Sequence, residues 1–337
     1  MNFAAKITGT GSGFPKNRVT NSNIVKKLAK LGIETSEEWI RERTGIYERR
    51  ISDIENPKER NSSLAFSAAQ KALDMAGKSP EDIDQIIYAT CSPDTPLPSS
   101  ACWLQHKLGA FRAWGMDINA ACSGFIYGLA TAEKFIRSGQ VVTSLVVGAE
   151  VLSPILNWED RNSCILFGDG AGAAIVEQTP EDSAQQILSS HLLSDGSLWD
   201  LLYVPAGGSN MEVTPERYAK KLHKLRMKGK ELFKVAVKTL ADFALQALKK
   251  NHMTADDLDW FVPHQANYRI IEAVANRLEF PMGKIIVNVD RFGNTSAATI
   301  PTALDEANRD GRIKKGQTVL LTAFGAGLTY GSILMRW

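Results

Sequence analysis

The sequence predicts an α/β protein made of two copies of one strand–helix–strand–helix–strand unit, related by a pseudo-twofold axis. Three observations carry this. At 337 residues the chain is too long for one simple core, which suggests two domains or one large duplicated unit. "ALDMAGKSPEDIDQII" from Ala72 returns as "ALKKNHMTADDLDWFV" from Ala247, 175 residues on. "CSGFIYGLATAEKFIRSGQ" then matches "NTSAATIPTALDEANRDGR" in the same order, at an offset of 172. A period this long points to duplication inside a domain, not to a solenoid.

The elements follow from these pairs. In the first pair a helix ends, a capped loop follows, and a buried strand begins. Ser79 and Thr254 are the caps, and "IDQIIYAT" and "LDWFVPH" are the apolar runs. In the second pair each helix stops at a glycine, Gly139 or Gly311. This alignment lays Cys122 over Asn294. The apolar strands "SLVVGAE" from Ser144 and "TVLLTAFGAG" from Thr318 come next. The polar, Pro-containing run Glu177–Gln186 reads as the linker, dividing the chain into halves 1–176 and 177–337. The strand-to-helix turns of both halves then face one crevice, where α/β proteins bind ligands.

Composition narrows the function classes. With 44% hydrophobic and 23% charged residues the chain is of ordinary globular type. A net charge of +2 gives no case for nucleic acid as a partner. The N-terminus lacks the pattern of a signal peptide, and no run approaches the roughly 18 apolar residues of a membrane span, so the expected location is the cytoplasm. Cys91, Cys102, Cys122 and Cys164 form no CxxC or zinc spacing, and suit a reducing compartment.

Cys122 lies in "NAACSGFIYGL", where a strand gives way to a helix. A buried packing cysteine is the ordinary reading. The helix N-terminus supplies the other one: free N–H groups and a positive dipole end favour the thiolate, and small neighbours leave room for a substrate. His264 follows a buried strand in "WFVPHQANYRI", and Asn294 sits at a third turn in "DRFGNTSAATIP". Either could simply cap a helix, but the duplication sends all three to the same crevice, as a site requires.

The glycine runs read differently. "GTGSG" from Gly9 is not G-x-G-x-x-G, and "FGDGAGAAIV" lacks the Lys-Ser/Thr of a phosphate loop, so both are assigned to packing or turns. In "AFGAGLTYGS", backbone N–H groups could face a developing oxyanion. Trp39 and Arg43 share a helix face, offering a surface for a flat ring beside an arginine for phosphates.

"WIRERTGI", "AACSGF", "FGDGAGA", "VPHQANYRI", "GNTSAA" and "AFGAGLTYGS" together resemble the β-ketoacyl-acyl carrier protein synthase III family over nearly the whole chain. The resemblance implies a thiolase-like fold of duplicated αβαβα layers, a homodimer, and no cofactor, with acyl-CoA and malonyl-acyl carrier protein as substrates. It implies Cys122 as the acylated nucleophile and His264 with Asn294 as the pair that assists decarboxylation. It places the oxyanion hole at the N–H groups of Cys122 and Ala326. Many relatives have Gly at the latter position, and Ala resists positive φ. It assigns Trp39 and Arg161 to the adenine of CoA, Arg43 to its phosphates, and Gly229 and Asn267 to the pantetheine tunnel. Lys234, Arg269 and Arg277 correspond to the patch that docks the acidic carrier protein. Leu97, in "SPDTPLPSSACW", corresponds to the acyl pocket and lies near the dimer contact.

Three rivals stand beside this reading. A thiolase needs a second cysteine in the C-terminal Gly-rich loop, and "AFGAGL" has none. A catalytically dead partner subunit would have lost the nucleophile. An acyltransferase relative acting in secondary metabolism remains the alternative, separated by carbon dioxide release from malonyl-carrier protein.

Overall fold

The computed structural model describes residues 3–337. The first sheet holds β1 (Phe3–Gly13), β2 (Gln85–Ala89), β3 (Trp114–Ile118), β4 (Thr143–Glu150) and β5 (Gly170–Pro180), in spatial order β1-β5-β4-β2-β3. The second holds β6 (Gln186–Ser194), β7 (Trp260–Pro263), β8 (Thr318–Gly325) and β9 (Thr329–Arg336), in order β6-β9-β8-β7. The two orders coincide strand for strand. The place of β3 is taken in the second half by a single parallel bridge, Phe261 to Ile285. The orientations repeat as well: β2–β4 and β7–β8 are parallel, and the pairs from there out to β1 and to β6 are antiparallel.

The repeat extends to single hydrogen bonds. Ser79 and Asp82 form a capping box, as do Thr254 and Asp257, each leading into a buried strand. Asp84 Oδ2 accepts from the Thr143 N–H at 3.0 Å, and Asp259 Oδ2 from the Thr318 N–H at 2.8 Å. Each carboxylate thus pins the start of the neighbouring parallel strand.

Seven helices complete the frame that positions the site: α1 (Glu37–Thr44), α2 (Asn61–Ala76), α3 (Ser100–Leu108), α4 (Gly124–Arg137), α5 (Gly229–Lys250), α6 (Tyr268–Arg277) and α7 (Thr299–Arg309). α4 and α7 form the middle layer. Phe125, Leu129, Ile300 and Leu304 pack in one apolar cluster with Ile87 and Val146 of the first sheet and Val262 and Leu321 of the second. α2 and α3 cover the outside of the first sheet, and α5 and α6 the outside of the second. The layering is αβαβα, a thiolase-like fold.

The run "GTGSG" serves this packing. Cβ atoms at Gly9, Gly11 and Gly13 would stand 2.1, 2.0 and 2.3 Å from the carbonyl oxygens of Ala72, Ala68 and Leu64, so α2 lies directly on β1. No helix is long and apolar enough to cross a membrane among the described residues.

Two sequence expectations shift. β5 runs on to Pro180 and β6 starts at Gln186, so the connection between the halves is a short turn at 181–185 rather than the whole run Glu177–Gln186. The superposition of Cys122 on Asn294 also fails. Both middle helices are entered through a 3₁₀ turn whose first residue has positive φ, Ala121 at 44° and Ser296 at 51°. These turns are 175 residues apart, which pairs Cys122 with Ala297. The 172 offset holds only at the far ends, Gly139 and Gly311, both at φ 76°. α4 has 14 residues and α7 has 11, and this three-residue difference moved the match.

Candidate active site

The carboxyl ends of β7 and β8 and the entry turn of α4 meet around one cavity of about 430 Å³. Cys122, His264 and Asn294 all line it, with Trp39, Arg43, Gly229 and Asn267 nearer its mouth.

Cys122 sits in the 3₁₀ turn Ala121–Ser123 that opens α4. The other half of the chain holds this turn. Ser123 Oγ donates to the Thr329 carbonyl at 2.9 Å, and Thr329 Oγ1 donates to the Ala120 carbonyl at 2.8 Å. Burial pushes the Cys122 thiol up to about 12. The nearby Ser296 hydroxyl opposes the rise, and the Glu150 carboxylate adds to it. The helix-dipole expectation is therefore overridden here: the resting group is a thiol, and desolvation is the reason. Glu150 itself is fully buried at the end of β4. It accepts from the Thr90 hydroxyl at 3.2 Å, the Cys91 N–H at 3.1 Å and Ser296 Oγ at 3.1 Å, and burial raises its carboxyl above the usual range.

His264 directly follows β7, its N–H bonded to the Thr322 carbonyl of β8 at 2.8 Å. Burial alone pushes its imidazole down to about 3, so it is neutral at physiological pH. Nδ1 lies 2.6 Å from Thr299 Oγ1. The Phe324 ring packs edge-on at 5.9 Å between centroids. Next to it, buried Gln265 clamps the loop: its amide donates to the Pro263 and Ile286 carbonyls and its oxygen accepts from the Asn288 and Val289 N–H groups.

Asn294 is oriented by its own turn. Oδ1 accepts from the Ser296 N–H at 2.8 Å, which leaves Nδ2 as the cavity-facing donor. The cavity thus offers a thiol, a neutral imidazole and an amide donor, with no charged group among the three.

Trp39 is half-buried on α1. The Arg161 guanidinium lies over its ring at 4.7 Å and that of Arg43 at 5.4 Å. Arg161 is not itself a cavity-lining residue. Asn267 caps α6 by accepting from the Arg269 N–H at 2.9 Å and donates to the Arg43 carbonyl at 3.1 Å, tying α6 to α1. Gly229 begins α5 at the mouth.

The remaining expectations divide. Lys234 and Arg269 are exposed near the starts of α5 and α6, and Arg269 stands over the cavity-lining Phe233 at 5.9 Å. Arg277 does not join them. It lies at the far end of α6, about 12 Å along the helix from Arg269, and pairs with Asp242 at 3.3 Å. Leu97 does not line the cavity of its own chain; it is 84% exposed, on the loop before α3. Ala326 follows β8 and is half-buried, and the positive φ of that loop falls on Gly327 at 135°, so the alanine is under no backbone strain. Sequence reasoning missed Thr299 and Phe324, the two residues that hold the His264 ring.

The chain is similar to known proteins over nearly its whole length. A family described as 3-oxoacyl-[acyl-carrier-protein] synthase III matches residues 116–196, and its C-terminal part matches residues 248–337. The β-ketoacyl-[acyl-carrier-protein] synthase III of Caldanaerobacter subterraneus subsp. tengcongensis is 49% identical over 335 residues, covering 99% of this chain and 98% of the relative. That of Clostridioides difficile is 47% identical, covering 100% and 99%. The crystal structure of 3-oxoacyl-[acyl-carrier-protein] synthase III from Aquifex aeolicus superposes with a TM-score of 0.88 at 43% identity, over 99% of this chain and 100% of that one.

Proposed function

The chain belongs to the β-ketoacyl-[acyl-carrier-protein] synthase III family, and on that premise we propose how its residues divide the reaction. The enzyme condenses an acyl-CoA with malonyl-[acyl-carrier-protein], the step that initiates fatty acid synthesis. Cys122 attacks the thioester carbonyl of acyl-CoA. The tetrahedral oxyanion is held by the N–H groups of Cys122 and Ala326, and collapses to acyl-Cys122 as CoA leaves. Because the thiol starts protonated, attack and proton loss are coupled, and the proton ends on the departing CoA sulfur.

Malonyl-carrier protein then enters by the same mouth. His264 Nε2–H and Asn294 Nδ2 donate to its thioester carbonyl. As the carboxylate leaves as carbon dioxide, the electron pair passes into an enolate that these two donors stabilise. The enolate carbon attacks the acyl group, and the Cys122 thiolate departs and regains a proton. Neutral donors suit this chemistry. They bind the enolate oxygen more tightly than the ground-state carbonyl, and no strong base is needed. The proposed steps call for no cofactor.

The adenine of CoA stacks at Trp39 and Arg161, with Arg43 near its phosphates, and Gly229 and Asn267 flank the pantetheine arm. Lys234 and Arg269 meet the acidic carrier protein. A homodimer suits the free edge of β3, where Trp114 is 42% exposed. Leu97 then reaches an acyl pocket only by crossing to the partner. Four unpaired thiols suit the cytoplasm.

The observation that carries this reading is the convergence of Cys122, neutral His264 and the oriented Asn294 amide on one cavity. The test is release of labelled carbon dioxide from malonyl-carrier protein. Release dependent on acyl-CoA, with a β-ketoacyl product, supports condensation. Acyl transfer without carbon dioxide supports the acyltransferase alternative.

A further inference from the structure

We infer that Thr299 is a positioning residue that sets the tautomer of His264: its hydroxyl donates to Nδ1 and so keeps the proton on the cavity-facing Nε2. The inference rests on the condensing role given above to His264 and adds the residue that makes it possible.

Proton counting decides the tautomer. A thioester carbonyl and an enolate oxygen are both acceptors, so His264 must present a donor to the cavity. A neutral imidazole has one N–H, and a donor at Nε2 requires Nδ1 to accept. The group within hydrogen-bond reach of Nδ1 is the Thr299 hydroxyl, at 2.6 Å, with both side chains buried.

That hydroxyl has one proton and a second acceptor in reach, the Ser296 carbonyl at 3.0 Å. The Ser296 carbonyl already accepts from the Thr299 backbone N–H, so it does not depend on the hydroxyl. Nδ1 has no such alternative. The contact to Nδ1 is also the shorter of the two.

Two further features fix the pair. The Phe324 ring, edge-on to the imidazole at 5.9 Å, limits its rotation. Thr299 is the first residue of α7, in the same turn as Asn294 and Ser296. One turn therefore orients both donors: the Ser296 N–H takes the oxygen of Asn294, and the Thr299 hydroxyl takes Nδ1 of His264.

The test combines spectroscopy with two variants. In ¹⁵N-histidine-labelled wild-type protein, His264 should show an unprotonated Nδ1 and a protonated Nε2. Thr299→Val keeps the shape and removes the hydroxyl. It should leave acylation of Cys122 by acyl-CoA near wild type while slowing decarboxylation of malonyl-carrier protein by about 10²-fold, as loss of one donor to a developing oxyanion does. Thr299→Ser should restore most of that rate. A protonated Nδ1 in the wild type, or full condensing activity in Thr299→Val, would overturn the inference. A wild-type enzyme that never condenses would instead overturn the assigned reaction. The ¹⁵N spectrum needs no turnover and decides the tautomer in that case too.

Discussion

Gly325 of β8 lies so close to Cys122 that a Cβ there would stand 2.7 Å from the Cys122 amide nitrogen. The counterpart contact is in the other half, where a Cβ on Gly148 of β4 would stand 2.2 Å from the Ala297 carbonyl oxygen. Each sheet thus carries a glycine against which the opposite half's entry turn is seated. In one half that turn holds Cys122, the proposed nucleophile. In the other it holds the residues that orient Asn294 and His264.

Gly325→Ala should therefore disable acylation without unfolding the protein. The added methyl would also meet the Ala120 carbonyl at 2.9 Å, so the turn must move. A displacement near 1 Å costs about 10²-fold in rate. Single-turnover acylation by acyl-CoA should fall by at least that factor, with the thermal midpoint within a few degrees of wild type.

The neutral imidazole has a consequence in acid. His264 is pushed down to about 3 in the folded protein, whereas an unfolded histidine titrates near 6.5. Between those values the unfolded chain binds a proton that the folded one does not. Stability must then fall as pH drops from 6.5 toward 3, by up to about 1.4 kcal/mol per unit from this residue. Denaturant unfolding of wild type and His264→Gln at pH 7 and pH 5 should show a steeper loss in the wild type. Condensation should show no acid limb near 6.5.

Cys122 should respond to base. With its thiol pushed up to about 12, the thiolate fraction rises about tenfold per pH unit across the range in which the protein is folded. Alkylation of Cys122 by iodoacetamide, followed by peptide mass, should climb from pH 7 to pH 10 without a plateau. A plateau below pH 9 would mean that the helix dipole outweighs burial.

The mouth residues separate by substrate. Trp39→Ala removes a stacking platform worth about 1–3 kcal/mol and should raise KM for acyl-CoA about tenfold or more. An acyl-pantetheine, which has no adenine, should be used as by wild type. Lys234→Glu and Arg269→Glu should raise KM for malonyl-carrier protein, the more so at low salt. Arg277→Glu should do little, because Arg277 is already paired with Asp242 and stands about 12 Å along α6 from Arg269.

Much of this was legible in the sequence. The capping boxes at Ser79 and Thr254 and the buried runs after them are local patterns, so they survive duplication and can be matched by eye. Cys122, His264 and Asn294 each end a strand or open a helix, where side chains gather. What was not legible depends on distance. The three-residue difference between α4 and α7 is spread through helical turns and leaves no mark at either end. Arg277 looks like any basic residue until Asp242 of another helix is beside it. Leu97 is placed by the course of its loop. Thr299 is an ordinary helix-start threonine until the His264 ring arrives from 35 residues away.

Whether Cys122 carries the acyl group between two half-reactions can be read from intact protein mass. Wild type and Cys122→Ala are incubated with acetyl-CoA or a longer acyl-CoA and weighed before and after malonyl-carrier protein is added. The wild type alone should gain an acyl adduct, and malonyl-carrier protein should discharge it as a β-ketoacyl product. An adduct that persists after malonyl-carrier protein, or an equal adduct on Cys122→Ala, is incompatible with Cys122 as the nucleophile of a condensation.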